Sequence, residues 1–107
     1  MRYDYREQVR EDLIDFIEEQ GGEVTIYDAL NSDSVTGNAS GSYFCNAYKA
    51  EECLSLNWDL LEDAMDFYGY EGNPLKMGEE ACDVYIRSYI VEQIFDEVYE
   101  EYIDEKE

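Results

Sequence analysis

Residues 79–107 read EEACDVYIRSYIVEQIFDEVYEEYIDEKE. In the first half, Val84, Tyr85, Ile86, Tyr89, Ile90 and Val91 spread apolar side chains over a wide arc of a helix. Such a segment is expected at the centre of a fold, with neighbours on two sides. In the second half the apolar set narrows to Val91, Ile94, Phe95, Val98, Tyr102 and Ile103. Spacings of three and four are the mark of an amphipathic helix. The stretch predicts one long helix from about Glu79 to Asp104, roughly 39 Å in length.

Two rows of acids run between the apolar positions of the second half. One is Glu92, Asp96, Glu100 and Asp104; the other is Glu97, Glu101 and Glu105. Like charges four apart on a helix repel by roughly 0.2–0.5 kcal/mol per pair. The helix dipole prefers cations at this end, and the only cation within the stretch's last turns is Lys106. Two local rules are broken together, which directs attention to function.

Working outward, residues 3–20 predict a first helix with the stripe Tyr5, Val9, Leu13, Phe16 and Ile17, ended by Gly21-Gly22. Its outer face carries Glu7, Glu11, Asp15 and Glu19, beside a basic row of Arg2, Arg6 and Arg10 expected to neutralise neighbouring acids. Val24 to Leu30 reads two ways: Val24-Thr25-Ile26-Tyr27 has strand-type residues, yet Thr25 is a candidate cap for a short helix over Ile26–Asn31, the preferred reading. Residues 31–46 are rich in Gly, Ser and Asn and predict a turn-rich loop, or a small hairpin closing through Val35 and Tyr43. From Asn46 the stripe Ala47, Ala50, Leu54, Trp58, Leu61, Met65, Tyr68 predicts one helix, or two joined by a kink at Asn57, with Gly69 as the stop. Asn73-Pro74 fits a single turn before the last helix. The fold class is therefore mostly α: residues 1–107 form one compact domain of three main helices, the first and third packing on the last.

The totals narrow the function classes. Lys plus Arg is 7 and Asp plus Glu is 28, a formal net charge of −21. Nucleic acid and anionic membrane both repel such a surface. A basic protein is attracted and steered to it. Hydrophobic content of 45% is enough for a packed core. There is no histidine, which removes the usual general base and the commonest zinc ligand. Cys45, Cys53 and Cys82 form no Cys-x-x-Cys pair, and with no signal peptide the reading is a reduced cytosol. No phosphate loop, nucleophile elbow or metal-ligand spacing is present, so no cofactor, no metal and no enzymatic activity are expected. Asp33, Asn38 and the hydroxyls around them do not match the EF-hand spacing, and a calcium-binding module centred on Asp33 to Ser42 stays open only as a minor alternative.

The stretch Asp33-Ser-Val-Thr-Gly-Asn-Ala-Ser-Gly-Ser-Tyr43, with Ala50-Glu-Glu, Asn57-Trp-Asp-Leu-Leu-Glu-Asp-Ala64 and Cys82-Asp-Val-Tyr-Ile-Arg87, resembles small uncharacterised proteins of phages and mobile elements of Gram-positive bacteria. The likeness covers most of the chain beyond Ser32. The group has no settled activity, so no residue role transfers from it. In size, charge and setting it is similar to anti-CRISPR and antirestriction proteins, several of which are DNA mimics. The resemblance implies the cytoplasm of a bacterial host.

Charge and resemblance together lead to one expectation. The chain is read as an inhibitor of a host defence nuclease, an acidic nucleic-acid mimic in the basic channel of a CRISPR effector or restriction enzyme. The residues expected to meet that partner are Glu92, Asp96, Glu97, Glu100, Glu101, Asp104 and Glu105, with Tyr99 and Tyr102 stacking on its arginines. An immunity protein or antitoxin for a basic nuclease uses the same electrostatics. A non-enzymatic phage regulatory or structural protein would use the apolar and tyrosine surfaces instead. The sequence leaves the oligomeric state open.

Overall fold

The computed structural model describes residues 4–37, 57–71 and 79–106. Among them it is mostly helical and contains no strand. The described residues form, in order, α1 (Tyr5–Glu19), α2 (Ile26–Leu30), α3 (Trp58–Tyr68) and α4 (Glu79–Lys106). The long α4 is the axis, and α1, α2 and α3 all pack on it.

Local chemistry sets most of the boundaries. Asp4 opens α1 by accepting a hydrogen bond from the Glu7 backbone N–H (3.2 Å). The Gly22 N–H closes it on the Ile17 carbonyl at 2.9 Å. Both Gly21 and Gly22 have positive φ, +67° and +81°, which any side chain would strain. Thr25 and Asp28 form a reciprocal capping box at the start of α2. Gly69 ends α3 in the left-handed conformation.

Tyr5, Val9, Leu13 and Ile17 of α1 are buried against Cys82, Ile86, Ile90, Val91, Phe95 and Val98 of α4. Each fully buried aliphatic side chain contributes about 1.5–3 kcal/mol. Ala29, Val35 and Leu61 complete this core. The buried end of α1 at Tyr5 lies against Arg87, and the turn after α1 lies against Tyr99 and Tyr102. The two helices thus run in the same sense, and their C-terminal ends share one end of the molecule.

One expectation is met as far as the described residues go, and one is corrected. At Val35 the chain makes a turn, with the Thr36 N–H on the Ser32 carbonyl (2.9 Å) and the Gly37 N–H on Asp33 (3.1 Å). This is the turn-rich loop expected from residue 31 onward, as far as Gly37; the alternative hairpin closing through Val35 and Tyr43 rests on Tyr43, outside the described residues. Thr36 is buried there, its hydroxyl 3.0 Å from the Leu30 carbonyl oxygen and 3.2 Å from that of Ser32. In α3 the buried residues are Leu61 and Ala64. Trp58 and Tyr68, expected on the buried stripe, are 37% and 38% exposed. Large rings with a polar handle settle at the edge of a core, where the polar end meets water. The described part of the central helix begins at Trp58, with Asn57 in the cap position. The Asn46 cap, the helix expected between it and Asn57, Tyr43 and the Asn73-Pro74 turn lie outside the described residues.

Candidate functional site

The acids of α4 divide by what they face. Asp96, Glu100 and Asp104 are exposed, one turn apart along a single line. Glu92, which heads that line, is half-buried beside Tyr68. Glu97, Glu101 and Glu105 are exposed too, but their row is turned toward α1. There Arg10 forms an ion pair with Glu101 across the helix–helix seam. Arg6 donates to the Gln93 side chain at 2.9 Å. The basic row of α1 does neutralise an acid, one on another helix. Among the described residues the ion pairs are Arg10 with Glu101 and Arg87 with Asp12 and Asp83. None involves Asp96, Glu100 or Asp104.

Tyr99 and Tyr102 are half-buried at the core edge. The Tyr99 hydroxyl donates to the Gly22 carbonyl oxygen at 2.6 Å, and its ring stacks on Phe95 with centroids 5.7 Å apart. The Tyr102 ring lies against Gly22, so close that a Cβ there would sit 3.0 Å from Cε1. Both rings fasten the α1–α2 turn to α4.

Since α1 and α4 run in the same sense, exposed Glu18 and Glu19 end α1 at the same end of the molecule as Glu100, Glu101, Asp104 and Glu105. The negative ends of two helix dipoles fall together there. Sequence periodicity cannot show this, because it depends on the relative sense of two helices. The only hint available was the pair of acids closing each helix.

A second charged arrangement escaped the sequence reading. Arg87 and Asp83 are both fully buried. Arg87 Nε lies 3.0 and 3.1 Å from the two Asp83 carboxylate oxygens. Its Nη1 is 3.5 Å from Asp12, and its guanidinium lies 5.4 Å from the Tyr5 ring centroid. Burial raises the Asp83 carboxyl above its ordinary range, while the Arg87 charge and hydrogen bonds from Tyr5 and Arg87 pull it back. The available signal was an Asp and an Arg four apart inside the most apolar part of α4.

Among the described residues, no group of three or more His, Cys, Asp or Glu side chains is placed to hold a metal ion. No helix among them is long and apolar enough to cross a membrane. No protein family, curated protein or solved structure matches the chain.

Proposed function

We propose that the protein is a non-enzymatic inhibitor that occupies the basic nucleic-acid channel of a defence nuclease, such as a CRISPR effector or restriction enzyme, in a bacterial host cytoplasm. The reading rests on one observation. Asp96, Glu100 and Asp104 form an exposed line without cationic partners among the described residues, in a chain of net charge −21.

Residues four apart on a helix are separated by about 6 Å of axis, so this line supplies roughly one carboxylate for every second phosphate of a DNA strand. One strand of duplex DNA supplies one phosphate per ~3.4 Å. Arginines and lysines that release counterions from phosphate would release them from this face as well. Its cost falls on stability, since the same charges repel one another in the free protein.

The test is capture and inhibition of a nuclease. The protein, immobilised, is exposed to lysate of a CRISPR-containing bacterium at low and high salt, with duplex DNA as competitor. The expected result is a nuclease retained at low salt, displaced by DNA, and inhibited in cleavage by the free protein. An Asp96→Lys/Asp104→Lys variant should lose that inhibition while keeping its helical circular dichroism. Inhibition that survives the reversal would exclude this face.

A further inference from the structure

Folding brings together rings that the sequence keeps apart. Phe67 and Tyr68 stand at the end of α3, with ring centroids 5.0 Å apart. Phe67 meets Tyr89 of α4 at 5.3 Å, and Tyr68 meets Tyr85 at 5.4 Å. Phe67 is 54% and Tyr68 38% exposed, while Tyr85 and Tyr89 are half-buried beneath them. Contiguous exposed rings on a small protein commonly mark an interaction surface. Carboxylates border them. Asp63 lies one turn before Phe67, Asp66 adjoins it, and both are exposed. Glu92 lies beside Tyr68, and its charge joins burial in pushing the phenol up to about 12. Tyr89 is held in place by the Gln93 side-chain amide, which donates to its hydroxyl at 2.9 Å and accepts from Arg6.

We infer that this face of Phe67, Tyr68, Tyr85 and Tyr89 is a docking surface for arginine side chains of a basic protein partner. The inference deepens the function proposed above and rests on its basic partner. Charge complementarity selects the occupant. A second copy of the chain brings another −21 and is repelled, as are nucleic acid and anionic lipid. A guanidinium is planar and weakly hydrated, so it stacks on rings while its N–H groups reach the bordering carboxylates. An ammonium group lacks that flat face. Half-buried Glu92 also heads the exposed row of Asp96, Glu100 and Asp104, so the row of acids starts beside the rings on α4. The rings select arginine; the row attracts any cation.

The experiment measures binding of labelled eight-residue polyarginine and polylysine peptides to the full chain by fluorescence anisotropy, at one ionic strength. Polyarginine should bind tighter by roughly two- to fivefold for each guanidinium seated on a ring. Phe67→Ala should bring the ratio of the two affinities close to one, with little change for polylysine. Phe67→Leu keeps apolar bulk without a π face and should do the same. Asp96→Lys/Asp104→Lys should weaken both peptides alike and leave the ratio intact. A ratio near one in the unaltered protein, or one that survives in either Phe67 variant, overturns the inference. So does a concentration-dependent dimer in sedimentation that Phe67→Ala makes monomeric. Failure here is separable from failure of the proposed function. Arginine preference without nuclease inhibition keeps the aromatic surface and removes the nuclease target. Inhibition without arginine preference does the reverse.

Discussion

Arg87 carries a full charge at the centre of the core, where a lone ion is very costly. It is tolerated because Asp83, Asp12 and the Tyr5 ring surround it. Removing one member should therefore cost more than removing the pair. Asp83→Ala should destabilise the protein by about 3–5 kcal/mol, whereas Asp83→Leu/Arg87→Met should fall well short of that loss. Urea unfolding of the two variants checks the order. The turn after α1 makes a second comparison. Gly21→Ala meets only the strain of positive φ, about 1–2 kcal/mol, because the space around it is open. Gly22→Ala meets the same strain and also displaces Tyr102, so it should be the more destabilising. Tyr68 supplies a pH prediction. Its phenol is pushed up to about 12 from 10.0, by burial first and by Glu92 second. The folded chain thus holds that proton more tightly than the unfolded one. This contribution to stability is complete below pH 10 and is lost as pH rises toward 12. The phenolate absorbance difference between the unaltered protein and Tyr68→Phe should show a midpoint near 12 when folded, and near 10 in denaturant.

At the scale of the element, α4 is a helix whose sequence opposes its own stability. Asp96→Lys/Asp104→Lys converts the repulsive neighbours Glu92–Asp96, Asp96–Glu100 and Glu100–Asp104 into attractive ones. It also puts a cation near the helix C-terminus. Unfolding at low salt should become harder by roughly 1–3 kcal/mol. The same change should remove inhibition, so stability and function move in opposite directions. A variant that lost both would point to a merely structural acid row. Elements of this kind were readable from the chain. The Thr25 cap, the Gly21-Gly22 stop, the Gly69 stop and the extent of α4 all depend on interactions within four or five residues. The facing of α3 was not readable. Trp58 and Tyr68 fit the apolar period as well as Leu61 does, and only the position of α4 decides which are covered.

At the scale of the whole molecule, self-repulsion at net charge −21 should make stability depend on salt. Raising ionic strength from about 0.01 M to 0.1 M shortens the screening length from ~30 to ~10 Å. The melting temperature should rise across that range, by roughly 4–8 °C for each kcal/mol of repulsion screened. A melting temperature that did not move would mean the acids are held too far apart to interact. Asp96→Lys/Asp104→Lys, with less repulsion to screen, should show a smaller rise.

The sequence alone determined that the chain is mostly helical, where α1 and α3 stop, and that α4 carries rows of acids. Each follows from residues one or two turns apart, and a helix brings those together whatever else the chain does. Tertiary structure alone decided the rest. Arg10 reaches Glu101 across 91 positions, so one acid of the expected site is neutralised by another helix. The Tyr99 hydroxyl is spent on Gly22 across 77 positions, and Tyr102 packs against the same glycine. Arg87 is buried rather than displayed. The rings of α3 and α4 merge into one face beside Glu92. These contacts join residues far apart in the chain, where no periodicity links one partner to the other. Only the packing of α1 and α3 on α4 chooses which side chains meet.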